Sequence, residues 1–309
     1  MHLVSVVIPV LNNASGLERM LRALVSQTYP REQTEIILVD NGSEDDTPAV
    51  ARAYEQHYPA LVKVLEETGH RGIAVARNHG LRLARGGVMA MTDSDCIPRP
   101  DWLEQGVRNL EVTGADLLGG RVQFTFSEQP DAAEYYDSIR HLQARYTIPL
   151  RHHAQTANLF ARRSVFDKIG LFHADTRSGA DTNWTGAAVE AGFRLVYSDE
   201  TVVLHAARPL GELVRKHFRL GSGHPRSWRR LRRRPRDILV LILRNLLPPR
   251  VGSLRALILD RGTPAMQNRF WSIWCVAWLC GMATNLGRLY GAAALLLGKR
   301  PRAPAGESK

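Results

Sequence analysis

The chain has 309 residues, 44% hydrophobic and 23% charged, a globular composition that excludes disorder throughout, collagen and a multi-span membrane protein. Three scattered cysteines (Cys96, Cys275 and Cys280) exclude a disulfide framework and a zinc finger, so a reducing, cytosolic compartment is expected. The net charge of +11 is uneven: residues 1–207 carry 20 Lys+Arg against 26 Asp+Glu, and residues 208–309 carry 21 against 4.

The opening MHLVSVVIPV has neither the basic segment nor the small-residue cleavage site of a signal peptide, and Val4–Val10 reads as a strand. Asn12-Asn13-Ala-Ser-Gly16 follows as a turn, and Leu17, Met20, Leu21, Leu24 and Val25 recur at helical spacing. Glu35–Asp40 is a second strand, continuously apolar as in a sheet covered on both faces. Asn41-Gly42 breaks it, and Thr47-Pro48 reads as an N-cap with proline at the first helical position. Val62–Glu66 is a third strand, Ile73–Ala84 a helix ended by Gly86-Gly87, and Val88–Thr92 a fourth strand running into Asp93. This alternation predicts a mostly parallel, doubly wound α/β sheet flanked by helices, with its ligand site beyond the carboxyl ends of the strands. Polar clusters stand at three such ends: Pro9–Asn13, Asp40–Ser43 and Asp93–Asp95. A G-x-G-x-x-G fingerprint is absent after the first strand, which disfavours a dinucleotide site.

Asp93-Ser94-Asp95 sets two carboxylates two residues apart beyond an apolar strand. Such a pair suits a hard divalent cation, Mg²⁺ or Mn²⁺, that also bridges phosphate oxygens. Taken alone, D-x-D is a weak motif, more often a polar turn with a helix cap; its place after an apolar strand, among other polar strand ends, favours the metal.

Ser5-Val-Val-Ile-Pro-Val-Leu-Asn12, Ile37-Leu-Val-Asp-Asn-Gly-Ser43, Gly72-Ile-Ala-Val-Ala-Arg-Asn78 and Met91-Thr-Asp-Ser-Asp95 resemble the inverting family 2 glycosyltransferases of GT-A fold. Thr156–Arg162, Ile169–Phe172, Gly179-Ala-Asp181 and Val203-Leu-His205 continue the resemblance in the family's order, over roughly residues 3–223. It implies a nucleoside-diphosphate sugar donor held by Pro9, Val10, Asn12, Asp40, Gly42, Arg77, Asn78, Asp93 and Ser94. By the same resemblance Asp95 and His205 hold the metal, Asp181 is the catalytic base, Asn158 lies in the acceptor region, and Arg215, Arg219 and Arg226 meet phosphate. Without the resemblance, Asp181 reads as the N-cap of a helix over Thr182–Glu190. Ala180, Asn183 and Ala187 depart from the family's usual residues around the base, and on them rests the alternative of a degenerate nucleotide-sugar-binding scaffold. A nucleotidyltransferase is the other alternative, and Asn12–Gly16 lacks the basic residues of its signature loop.

Residues 1–225 are thus expected to form the catalytic domain, with a donor half to about 98, and 226–309 a basic, partly apolar helical extension. Six arginines lie in Arg229–Arg236, and Phe270–Leu297 carries Phe270, Trp271, Trp274, Trp278 and Tyr290 before and after Thr284-Asn285 and Arg288. Three readings compete for that stretch: an interfacial amphipathic helix, a helix packed on the body or a second subunit, and a single span. The expected partners are the donor, a glycan or lipid-linked acceptor and an anionic membrane surface, not nucleic acid, because the arginines belong to no reader fold. The expected location is cytoplasmic, peripheral on the inner face of the cell membrane, in cell-envelope or lipid-linked glycan synthesis.

Overall fold

Val4–Val10 (β1) and Thr34–Asp40 (β2) are buried at every position, as strands covered on both faces must be. The computed structural model describes residues 2–69, 72–174, 179–230 and 234–297, a few helical residues between 226 and 244 by their backbone alone. Between the two strands Ala14–Leu24 (α1) turns Leu17, Met20, Leu21 and Leu24 inward. Thr47–His57 (α2), Val62–Glu66 (β3), Ile73–Leu83 (α3) and Val88–Thr92 (β4) complete the parallel part. The N-cap of α2 is Asp46, because the Thr47 hydroxyl accepts instead from the Asn13 N–H at 2.8 Å.

The chain then adds Cys96–Pro98 (β5), Trp102–Thr113 (α4), Leu117–Thr125 (β6), Ala132–Arg140 (α5), Ala144–Arg151 (α6), Asn158–Arg162 (β7), Arg163–Ile169 (α7), Ala180–Glu190 (α8) and Leu195–Ala206 (β8). The described residues form one eight-stranded sheet in the order β3-β2-β1-β4-β7-β6-β8-β5. β7 enters antiparallel between β4 and β6, and β5 runs antiparallel to β8, while the remaining pairs are parallel. Alternate side chains fill opposite layers. Val4, Val6 and Ile8 pack with Trp102 and Phe160 on one side, and Val7, Ile37 and Val39 pack with Val165 and Trp184 on the other.

Leu210–Arg230 (α9) runs through the expected boundary at 225, and is followed by Pro235–Leu246 (α10), Val251–Arg261 (α11), Pro264–Asn268 (α12) and Phe270–Leu296 (α13). α13 packs along α9 and against α5 and α10, and Ile273, Val276 and Cys280 meet Ala133 and Ile139 in a third core. Gly221, Gly287 and Gly291 let the two long helices touch: a Cβ at Gly287 would overlap the Phe218 carbonyl. The interfacial reading of Phe270–Leu297 therefore needs correcting along one face, which is sealed against the body. Trp271, Trp278, Leu279, Leu286 and Leu289 remain exposed on the other face. Among the described residues no helix is long and apolar enough to cross a membrane. Part of the Arg229–Arg236 run, residues 231–233, lies outside the described residues.

Candidate active site

Because β1, β2 and β4 are parallel, their carboxyl ends open on one side and bring three polar loops together. At the end of β2 the Asp40 carboxylate accepts from the N–H groups of Gly42 and Ser43 at 3.2 and 3.1 Å, and Gly42 takes the left-handed φ of 83° that this tight turn requires. After β1, Asn12 is also left-handed (φ 47°); its N–H donates to Ser43 Oγ at 2.9 Å and its Oδ1 accepts from Glu44 N–H at 2.8 Å. Asn13 Nδ2 donates to the carbonyl and hydroxyl of Ser94, at 3.0 and 3.2 Å, and so ties the first loop to the D-S-D turn. Pro9 and Val10 are buried in β1 itself.

Arg77 on α3 is 3% exposed and donates from Nη2 to Asp93 Oδ1 at 2.8 Å, its guanidinium lying over the Phe172 ring. Asn78 supports that arrangement from behind. Its amide exchanges hydrogen bonds of 2.7 and 3.0 Å with the Phe172 backbone, so it reaches the site through Phe172 and not directly. Burial pushes the Asp93 carboxyl above its ordinary value; Arg77 opposes the shift, and the charges of Asp95 and Asp181 add to it.

Asp95 meets His205 because β5 and β8 pair with Cys96 opposite His205. Asp95 Oδ2 is 3.2 Å from His205 Nε2 and 3.1 Å from Arg208 Nη2. Burial works against ionisation of Asp95, and the His205 hydrogen bond with the charges of His205 and Arg208 outweighs it, holding this carboxyl well below the usual range. The Oδ2–Nε2 separation is close to the roughly 3 Å between neighbouring ligand atoms of an octahedral divalent ion, so the pair fits a Mg²⁺- or Mn²⁺-type cation. Ligand atoms of Asp95, Cys96 and His205 lie within 4.8 Å of one another. The Cys96 thiol is no match for a hard cation, since burial raises its pKa well above the ordinary value and keeps it protonated.

Asp181 is not a helix cap. α8 begins at Ala180, two residues before the expected start, behind Gly179 at φ 76°, and Asp181 sits in its first turn, where the helix dipole favours a carboxylate. Its Oδ2 accepts from the Thr156 N–H at 3.4 Å, and its charge is felt by Asp93 and by His153. Asn158, expected in the acceptor region, is turned into the sheet. It is 2% exposed, its Nδ2 donates to the carbonyls of Arg121 and Thr201, and its Oδ1 accepts from Trp102 Nε1, which locks β7 to β6 and β8 where β8 bulges. Arg215 and Arg219 lie on α9, and the Arg226 side chain lies outside the described residues. Sequence reading placed Asn13 in a strand-end cluster without a role, and missed Arg208 and the completely buried Asp137 behind it. The one available signal was Arg208 itself, the first residue of the basic tail, three positions after the motif histidine.

The sequence model of glycosyl transferase family 2 matches residues 5–170. Glycosyltransferase AglE of Haloferax volcanii is 39% identical over 289 residues, spanning 93% of this chain and 95% of its own length. The pre-mycofactocin glycosyltransferase of Mycobacterium tuberculosis is 31% identical over 234 residues, 72% of this chain and 47% of its own. Among solved structures, the mannosyltransferase PcManGT from Pyrobaculum calidifontis, in complex with GDP-Man and Mn²⁺, superposes with a TM-score of 0.57 at 22% identity, covering 99% of this chain and 76% of its own. S. aureus TarS 1–349 in complex with UDP follows at 0.51 and 15%, covering 99% and 95%. With this fold, these strand-end loops and these relatives, the chain belongs to glycosyl transferase family 2 and is a glycosyltransferase of GT-A fold.

Proposed function

We propose that the chain transfers one sugar, with inversion, from a nucleoside-diphosphate donor to an acceptor hydroxyl. The observation that carries this reading is the meeting of Asp93, Asp95, His205 and Asp181, drawn from three segments of the chain, beside the turn formed by Asn12, Asp40 and Gly42. Asp95 and His205 would hold a divalent ion, and when bound it would offset the negative charge that develops on the leaving diphosphate. Arg77 fixes Asp93, and the Asn13–Ser94 bonds fix the turn between the two aspartates. Asp181, beyond that pair, is the carboxylate whose charge reaches Asp93, and it would take the acceptor's proton while the sugar carbon is attacked from the face opposite the diphosphate. Arg215 and Arg219 on α9 are the phosphate contacts of this reading. The GDP-Man and Mn²⁺ of the Pyrobaculum structure and the UDP of TarS support a nucleotide-sugar donor and a metal.

The same proposal sets the protein on the cytoplasmic face of the cell membrane, acting on a lipid-linked or cell-envelope glycan. Its support is the apolar side chains left bare on α10 and α13, such as Leu239, Val240, Trp271 and Leu286, in a tail of net +17.

The test is thermal shift across a panel of nucleotide sugars with and without Mn²⁺, paired with nucleoside-diphosphate release. A donor at 100 times its Kd stabilises the fold by about 2.7 kcal/mol. Asp95→Asn should lose the Mn²⁺-dependent part of that shift together with turnover. Equal donor stabilisation in both proteins, with and without Mn²⁺, would defeat the reading.

A further inference from the structure

Arg208 leaves the end of β8 and reaches in two directions. Nη2 lies 3.1 Å from Asp95 Oδ2 and 2.9 Å from His205 Nε2, the two atoms assigned above to the divalent ion. On the other side, Nη1 and the Arg208 backbone N–H donate to Asp137 Oδ2 at 3.4 and 3.1 Å. Asp137 is fully buried and is held in turn by Lys216 at 3.1 Å and His141 at 2.7 Å. One end of the guanidinium is therefore anchored on an interior carboxylate, while the other stands at the partly exposed Asp95.

Two physical facts make this arrangement exclusive. A guanidinium does not release its proton in a protein, so the charge beside Asp95 and His205 is permanent. Nε2 of the His205 ring has a single outward position, taken either by the hydrogen it donates to Asp95 or by the N–H it accepts from Arg208, and a cation binds there only once that contact is given up. A divalent ion drawn to the same two atoms would also meet the repulsion of the arginine at close range.

Resting on the metal reading above, we propose that Arg208 is a tethered cation holding the place of the divalent ion, so that metal enters only by displacing it. Arg208 is on this account a positioning residue. Its two contacts with Asp137 keep it attached during the exchange, and they leave the guanidinium near the diphosphate once the metal has taken Asp95 and His205. The donor-free protein then binds metal weakly, because the ion must compete with a charge already in place. A donor diphosphate favours the exchange, since it adds negative charge for both cations to meet.

The experiment titrates the full chain with Mn²⁺ alone, without donor, and follows free Mn²⁺ by electron paramagnetic resonance. Arg208→Gln should bind Mn²⁺ at least tenfold more tightly than the parent, and Asp95→Asn should lose binding. Arg208→Lys keeps a cation beside Asp137 but lacks the fork that spans both sites, and it should fall between the parent and the Gln variant. Thermal unfolding checks that each variant is folded; if the Gln variant is not, the Lys variant decides, and parental Mn²⁺ affinity there overturns the inference. Unchanged or weaker affinity in folded Arg208→Gln, with binding lost in Asp95→Asn, overturns the role of Arg208 and leaves the metal site standing. Parental Mn²⁺ binding in Asp95→Asn overturns the metal site and the inference with it.

Discussion

Asp137→Asn keeps the shape of a completely buried side chain and removes its charge. Lys216 and Arg208, whose side chains are only 14% and 22% exposed, would then face each other across a neutral amide. Breaking a buried ion pair from one side costs about 3–5 kcal/mol. Unfolding entropy of about 2.1 cal/mol/K per residue converts that, for a chain of this length, into a Tm loss of roughly 5–8 °C. Adding Lys216→Met should return part of the loss, because it removes one of the stranded cations, and the coupling should exceed about 1 kcal/mol. The pH dependence has a definite sign. Burial pushes the Asp137 carboxyl up, but the His141 hydrogen bond and the charges of Lys216, His141 and Arg208 more than reverse this and hold it far below the usual range. Its stabilisation is thus complete above the unfolded carboxylate value of about 4 and disappears as pH falls below that. Calorimetry should find a constant gap between parent and variant from about pH 5 to 7, closing in stronger acid. A Tm within about 2 °C of the parent at neutral pH, or strict additivity with Lys216→Met, would mean that the Asp137 charge does not hold Arg208 and Lys216 in place.

His141 is driven down to about 4 by burial, against the hydrogen bond to Asp137, so folded His141 stays neutral where the unfolded ring protonates. Stability should therefore fall between pH 6.5 and 4, and His141→Gln should remove on the order of 3 kcal/mol of that fall in urea melts at stepped pH. Gly287→Leu should cost about 1–3 kcal/mol in the urea midpoint by prising α13 from α9, while Gly252→Ala, with open space around its Cβ, should cost nothing. Asp181→Asn should keep donor affinity and lose transfer by about 10² or more; unchanged turnover would move the base elsewhere. Trp271→Glu with Leu286→Glu, both on the bare face of α13, should release the protein from anionic vesicles in sedimentation without lowering Tm, and unaltered binding would remove that face from membrane docking. Point changes suit this test better than truncation, which would also strip α13 from the α5 core.

The parallel half of the sheet was legible because strands covered on both faces, such as β1, β2 and β4, are mostly apolar runs, and the edge strand β3 alternates with Lys63 exposed. The four expected strands over Val4–Val10, Glu35–Asp40, Val62–Glu66 and Val88–Thr92 match β1 to β4 within a residue. Cys96–Pro98 left no comparable trace, since three residues are too few to establish a period of two. Asp137 was invisible for a different reason: its partners Arg208 and Lys216 lie 71 and 79 positions away, and local pattern does not encode so distant a pairing. In α13, composition alone could not say which side is covered. The repeat of Gly287 and Gly291, one helical turn apart, was the readable sign of a close helix contact.

The short edge strand β5 also governs when this protein becomes competent. β5 has β8 as its sheet neighbour, and the ion contact that closes beside it joins residues 113 positions apart. Closing a loop of that size carries an entropic cost of about 4 kcal/mol. During synthesis the D-S-D turn leaves the ribosome long before β8 exists, so a nascent chain holds both aspartates before His205 and Arg208 can reach them. On the proposed metal reading, ion capture would be a late folding event, and a bound ion would act as a clasp between distant parts of the chain. Hydrogen exchange at Cys96–Pro98, with and without Mn²⁺, would register that clasp directly.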